Sequence, residues 1–171
     1  MQDPQTPQLA EAGVEAALVS LISARLAASG VAHCTVTGSW SQVAEGEVKG
    51  EERPADEIAV AVAVGAPQWD EYLNPPCTIP AAIAIVVRRE IAPTGAALVA
   101  TVAPIAAMLN KLQADVTAVD ALSTPMFGAD GVRVDGGQPP AFMPQTNTWR
   151  ITRSLSIRGI IAAEEEETPN T

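Results

Sequence analysis

The residues best suited to nucleophilic chemistry are one histidine, His33, and two cysteines, Cys34 and Cys77. A thiol nucleophile needs a base within hydrogen-bond reach and a third group that orients the base. His33 and Cys34 are consecutive, and consecutive residues of a strand point to opposite faces, so we do not expect them to act as a pair. Nothing in the spacing brings Cys77 to His33. Two cysteines without a CxxC spacing instead predict buried free thiols in a reducing compartment.

The common catalytic and nucleotide-binding motifs do not occur in the sequence. It contains no GxSxG elbow, no HExxH helix, no GxxxxGK loop and no GxGxxG turn. Asp130-Gly131 and Asp135-Gly136 faintly resemble calcium loops, but the closing bidentate glutamate is missing, and we interpret them as turns. We therefore expect no catalytic residue, no cofactor and no metal, and we expect that the protein is not an enzyme.

The overall charge and the apolar runs disfavour nucleic acid binding, a secretory signal and a membrane span. Twenty acidic residues against ten basic ones give a formal net charge of -10, which disfavours a protein that grips nucleic acid phosphates. The chain opens without a basic segment followed by an apolar run, so we expect no secretory signal. The longest apolar stretch, Ala96 to Leu109, is shorter than the roughly 18 residues that a membrane span requires, so we expect no membrane partner.

Periodicity predicts an N-terminal helix that begins at Thr6-Pro7 and ends at Ser29-Gly30. Its apolar stripe comprises Val14, Leu18, Leu21, Ile22 and Leu26. A strand is predicted from Val31 to Trp40. In a second strand, Ile58 to Val64, both faces are apolar, which indicates a central strand covered on both sides.

A third strand is predicted from Ala81 to Arg89, after an irregular connection from Trp69 to Pro80. A long helical stripe follows, with a kink or restart expected near Thr101 to Pro104; it comprises Leu98, Val102, Ile105, Leu109, Leu112, Val116 and Val119. The remaining elements are a short strand at Val132 to Val134, a proline-rich loop, and a half-buried strand from Trp149 to Ile161.

These elements predict an α+β fold, a mostly antiparallel mixed sheet with the N-terminal helix and the long central helix packed on one side. The expected organisation is a flexible N-terminus over 1–6, one domain over 7–162 with a long loop over 41–57, and a disordered acidic tail over 163–171.

The charged residues of the long loop and of the last strand are the candidates for contact with other subunits. The loop is interpreted either as a solvated surface or as an electrostatic docking element. The arginines of the last strand are interpreted either as solvated strand residues or as part of a small basic patch with Arg88, Arg89 and Arg153. The candidate interface residues are Glu45, Glu47, Lys49, Glu51, Glu52, Arg53, Arg150 and Arg158.

The order of elements resembles that of the tail terminator proteins of long-tailed bacteriophages. The closest local similarities are the strand Ile83 to Val87 passing through Ala92-Pro93-Thr94-Gly95 into a helix with a late proline, and Val134-Asp135-Gly136 followed by Trp149-Arg150-Ile151-Thr152 at the start of the last strand.

The resemblance implies a structural virion protein of the tail-neck region, assembled in the host cytoplasm. Six copies would form a ring that caps the tail tube and joins it to the head connector, and DNA would pass through without specific binding. A neck or head-tail adaptor protein of the same assembly is the first alternative. A small-molecule enzyme or binding domain, with a site at a subunit interface built from His33, Cys34, Cys77 and the loops, is the second.

Overall fold

The computed structural model describes residues 9–40, 56–69, 76–113 and 115–162. These residues form three helices and six strands. The helices are α1 (Ala10–Ala28), α2 (Gly95–Lys111) and α3 (Val116–Leu122). The strands are β1 (Cys34–Gly38), β2 (Ile58–Val64), β3 (Gln68–Trp69), β4 (Cys77–Arg88), β5 (Phe127–Met143) and β6 (Thr148–Ile161).

All six strands belong to one mixed sheet in the order β1-β2-β4-β6-β5, with β3 also paired to β4. The β1–β2 pair is parallel, and the other pairs are antiparallel. The helices lie on one side of the sheet, so the predicted α+β class and its one-sided helical layer are confirmed.

The apolar stripe of α1 is buried as predicted, but the helix begins at Ala10 in the described residues. Thr6 and Pro7, its predicted start, lie outside them. Ser29 is the C-cap, and Gly30 has a φ of +74°, the left-handed conformation that commonly ends a helix. The strand that follows is shorter than the predicted Val31 to Trp40, because β1 is confined to Cys34–Gly38.

The predicted irregular connection from Trp69 to Pro80 contains ordered pairing at both ends. Gln68 and Trp69 pair with Thr78 and Cys77, so β4 begins before the predicted Ala81. Pro80 lies inside β4, where its carbonyl accepts a hydrogen bond from the Gly65 N–H at 2.8 Å. The proline is tolerated because β2 ends at Val64, so no strand requires an N–H donor from Pro80 on that side.

The sequence predicted a kink or restart near Thr101 to Pro104. In the structure the helical stripe is interrupted after Lys111 instead. α2 passes through Pro104 without a break, and the carbonyl of Ala100, which loses its partner, belongs to an exposed residue. α3 then runs at 84° to α2. As a result Val116, predicted to belong to the core, is 72% exposed, whereas Leu112 is buried.

The predicted short strand at Val132 to Val134 is part of a strand of 17 residues, β5. The Asp-Gly pairs interpreted as turns are irregularities in its pairing with β6, at Ala129/Gly131 and Val134/Gly136. Gly136 has a φ of +110°, which suits a β-bulge better than a continuous ladder. Pairing with a long partner strand therefore overrides the local turn signals.

The hydrophobic core lies entirely between the sheet and the helices. From the sheet it includes Ile58, Val60, Val62, Ile79, Ile83, Ile85, Ile151, Leu155 and Ile157, and from the helices Val14, Leu18, Ile22, Ile105 and Leu109. Ala61 and Ala63, on the other face of β2, are exposed. Within the described residues the prediction that β2 is covered on both sides is wrong, because the described helices all pack on the valine side.

A buried carboxylate, Glu15, joins α1 to the sheet. Its side chain is 1% exposed and accepts hydrogen bonds from Ser39 Oγ at 2.7 Å, from Trp40 N at 2.6 Å and from Val64 N at 3.0 Å. A Cβ at Gly38 would lie 2.5 Å from Glu15 Oε1, so the position requires glycine. One side chain therefore satisfies backbone groups from two segments.

A second polar cluster joins α1 to the start of α3. Asp115 caps α3 by accepting from Thr117 N at 2.9 Å and from Thr117 Oγ1 at 2.6 Å, and its other oxygen pairs with Arg25 Nη2 at 2.8 Å. The hydrogen bond from Thr117, followed by that from Arg25, lowers the pKa of Asp115 from 3.8 to about 2.

Removal of the Glu15 carboxylate is expected to destabilise the fold strongly. In Glu15→Ala the backbone N–H groups of Trp40 and Val64 lose a buried acceptor, so we expect the free energy of unfolding to fall by about 2–4 kcal/mol. Urea denaturation measures this loss. Glu11→Ala, in the first turn of the same helix, is the control and should cost less than about 1 kcal/mol. Equal effects in the two variants would contradict the assigned role of Glu15.

The ionised Asp115 is expected to stabilise the fold in a defined pH range. Because its folded pKa of about 2 is below the ordinary 3.8, the contribution is complete above pH 3.8 and is lost as the pH falls through about 2. Asp115→Asn retains a capping side chain but removes the charge. We therefore expect the wild type to be more stable than this variant at neutral pH, and the difference to shrink between pH 4 and 2.

Denaturation of both proteins across this pH range measures the difference. Asp120→Asn, on the exposed surface of the same helix, should give no such pH-dependent difference. A stability gap between wild type and Asp115→Asn that is unchanged from neutral pH to pH 2 would refute the assignment.

Candidate interaction surfaces

The face of the sheet opposite the helices bears mainly small residues, and we call it the open face. Cross-strand register aligns Thr37, Ala61, Ala84 and Thr152 in one row across four strands. Its members in the three central strands are Ala59, Ala61, Ala63, Ala82, Ala84, Val86, Arg150, Thr152, Ser154 and Ser156. Alanine, serine and threonine side chains leave the strands accessible to close approach by another surface.

The centre of the open face is partly accessible: Ala84 is only 7% exposed, but several of its neighbours are open to solvent. Ala61, Ala63 and Ala82 are exposed, and the surface bears two shallow depressions of about 120 and 400 Å³. A polar rim adjoins it: Asp135 accepts hydrogen bonds from Ser156 Oγ and from Arg133 Nε, which together lower the pKa of Asp135, with the Ser156 bond the larger cause. The face thus combines an apolar centre with polar edges, as protein interfaces commonly do.

The two candidate arginines of the last strand both belong to the open face, but they do not form one patch. Arg150 and Arg158 are exposed and eight residues apart on β6, which separates them by about 26 Å. Arg150 instead lies diagonally opposite Arg88, which shares its face on β4. The other six candidates, Glu45, Glu47, Lys49, Glu51, Glu52 and Arg53, lie outside the described residues.

The outer surface of α2 is a second exposed apolar area, on the opposite side of the molecule. From Gly95 to Asn110 the helix has no charged residue, although half of it faces outward. Val99 is 68% exposed, and Ala96, Ala100, Ala103 and Ala107 are exposed with it. A helix that is apolar on all sides is ordinarily buried on all sides, so this surface is a candidate contact area.

Beside α2 runs a groove of about 600 Å³, which we call the α2 groove. One wall is α2 and the other is the β5–β6 hairpin. Its lining includes the apolar residues Leu98, Val102, Ala103, Ala106 and Ile151 and the polar residues Asn110, Gln138 and Arg153. Every residue that lines it belongs to the described part of the chain.

The structure separates the thiols from each other. Cys34 pairs with Ile58 of β2, which in turn pairs with Val87 of β4. Cys77 lies ten residues before Val87 on β4, a separation of about 33 Å along the strand. Burial is the main factor that raises the pKa of both thiols, assisted at Cys34 by Asp56. His33 is exposed. Within one subunit these residues therefore do not form a single nucleophilic site.

Two further features concern metal binding and membrane insertion. In the described residues no three His, Cys, Asp or Glu side chains are grouped so that they could hold a metal ion. No single described helix is long and apolar enough to cross a membrane. α2 and α3 reach that length and apolar composition only when taken together, and they are sharply bent relative to each other.

Sequence reasoning missed Glu15 and the position of Arg153. Glu15 lies seven and eleven residues before Ile22 and Leu26, so its place on the apolar stripe of α1 was a readable signal. Arg153 lies two residues from both Ile151 and Leu155 on β6, and side chains two residues apart on a strand share a face. Arg153 therefore points to the helix side of the sheet. The strand alternation, applied to every residue, would have placed it there.

Comparison with known proteins does not assign the chain to a family. No protein-family model matches it, and no curated protein matches it.

Proposed function

We propose that this protein is a structural component of a phage virion, a tail terminator whose six copies form a ring that caps the tail tube and contacts the head connector. The observation that carries the proposal is the open face, a sheet surface of small residues on which Ala61, Ala63 and Ala82 are exposed. The resemblance in element order supplies the assembly. The acidic total charge favours passage of DNA without adhesion, because phosphates are repelled by carboxylates.

The two exposed apolar areas favour a head-to-tail contact. A ring requires two different patches on each subunit, one of which meets the other on the next subunit. The open face and the outer surface of α2 lie on opposite sides of the sheet, and both consist largely of alanine. In the proposed ring, α2 of one subunit packs on the open face of its neighbour, which would cover β2 on its second side.

This contact also accounts for the composition of the chain. Alanine-rich surfaces contribute little buried area per residue, so a single subunit gains modest stabilisation from each contact. Burying a second face of the same sheet adds apolar area without a longer chain. Self-association thus provides part of the stabilisation that a core with only 4% aromatic residues lacks.

The purified protein is expected to form rings of six. Light scattering should give a mass near 106 kDa, six times the 17.7 kDa chain, and negative-stain microscopy should show closed rings, alone or on the ends of tail tubes. A charge at the centre of the open face should abolish this, so we expect Ala82→Glu to remain monomeric with a helix content close to wild type and a lower melting temperature, because the stabilisation from self-association is lost.

Ala24→Glu is the matched control, because it adds the same charge at an exposed position of α1, away from both surfaces. It should assemble like the wild type. A monomer that neither forms rings nor binds tube ends would overturn the proposal. Binding to portal-side rings in preference to tube ends would assign the protein to the neck as an adaptor instead.

A further inference from the structure

We propose that the α2 groove is a binding site for an apolar monocarboxylate, a ligand with one anionic head and a linear aliphatic body. This inference is argued from the single subunit and not from the assembly role proposed above, although Val99 and Ala103 belong both to the groove and to the outer surface of α2. It rests on the shape of the groove, on the chemistry of its walls and on one arginine at its base.

The dimensions of the groove suit an elongated small molecule. Its volume of about 600 Å³ lies within the range of small-molecule sites. Along α2 the lining extends from Leu98 to Asn110, a length of about 18 Å at the rise of an α-helix. A linear aliphatic chain could therefore lie along the helix.

The walls of the groove are mainly apolar, and their few polar groups are neutral apart from one. Leu98 and Val102 contribute the α2 wall, and Ile151 contributes the sheet wall. Pro139 and Pro140 form part of the rim, where their nitrogens present no N–H groups. Such walls stabilise an aliphatic body and give no partner to a ligand that is polar along its length.

Arg153 is the only charged residue that lines the groove. It lies on the helix side of β6 between Ile151 and Leu155 and is half-buried. Its Nη1 donates to the Thr152 carbonyl at 3.2 Å, and no described carboxylate pairs with it. A guanidinium has five N–H donors and binds carboxylates through two parallel hydrogen bonds, so most of its donors remain for an anionic head group.

The surrounding residues keep this cation in place and accessible. A Cβ at Gly137 would lie 2.8 Å from Arg153 Nη1 and 3.0 Å from its Cδ, so the glycine leaves room for the guanidinium. The amide side chains of Asn110 and Gln138 also line the groove and could donate to the same head group. One cation with neutral amides favours a singly charged carboxylate over a phosphate dianion.

Decanoate is the probe for this site, and decanol is its uncharged counterpart. Titration calorimetry with the full-length protein should show saturable binding of decanoate, below its micellar concentration, and much weaker binding of decanol. We expect Arg153→Gln to weaken decanoate binding about tenfold or more, because a charged hydrogen bond is lost. Arg153→Lys should retain part of the affinity, since lysine supplies the charge but not the paired geometry.

Two further variants keep the test decisive. Arg158→Gln removes a cation from the opposite face of the same strand and should bind decanoate like the wild type. Ala103→Trp fills the groove from an exposed position of α2 and should block binding with Arg153 intact. The proposal is overturned by absent decanoate binding, by equal affinity for decanol, by equal losses in Arg153→Gln and Arg158→Gln, or by unchanged binding in Ala103→Trp.

Discussion

The structure depends on the burial of one aliphatic face of a six-stranded sheet beneath three helices. Ile83 and Ile85 of β4 and Ile157 of β6 are fully buried there, against Ile22 and Ile105 from the helices. Each fully buried aliphatic side chain contributes about 1.5–3 kcal/mol relative to exposure, and among the described residues no aromatic cluster supplements them at the centre of the sheet. The positions of the helices, and hence of every other surface, follow from this contact.

Because the described helices occupy only one side, Ala61 and Ala63 of β2 and Ala82 of β4 are exposed. The same one-sided packing leaves α2 with an apolar outer surface. A soluble monomer seldom exposes two such areas, and contiguous exposed apolar surface ordinarily marks a contact with another molecule. The proposed head-to-tail ring pairs these two areas with each other, and it requires no reactive group.

Two charged residues near the core illustrate how structural and binding roles can be separated. Glu15 is almost fully buried, and three donors satisfy its carboxylate, as expected of a group that holds the fold together. Arg153 is half-buried beside an open groove, and its one hydrogen bond leaves most of its donors without partners in the described residues. The first residue is therefore assigned to stability and the second to recognition.

Periodic side-chain patterns were sufficient to predict the elements in which the period is strong. The stripe of α1 and the alternation of β6 predicted the element and its buried side, because periods of 3.6 and 2 follow from backbone geometry alone. The sequence of β2 predicted the strand but not that only one of its two apolar faces lies under the helices. The fold class followed from the order of these elements. The absence of catalytic motifs was likewise readable without coordinates.

Tertiary structure alone decided how those elements end and what they face. The break after Lys111 could not be located from periodicity, since the apolar stripe continues through Val116 while the Asp115 cap starts a new helix at 84°. The two Asp-Gly pairs lie within β5 as irregularities and do not end the strand, because β5 pairs with β6 on both sides of each of them. The open face and the α2 groove exist because the described helices pack on one side of the sheet. This packing depends on contacts between residues far apart in the sequence, which local patterns do not encode.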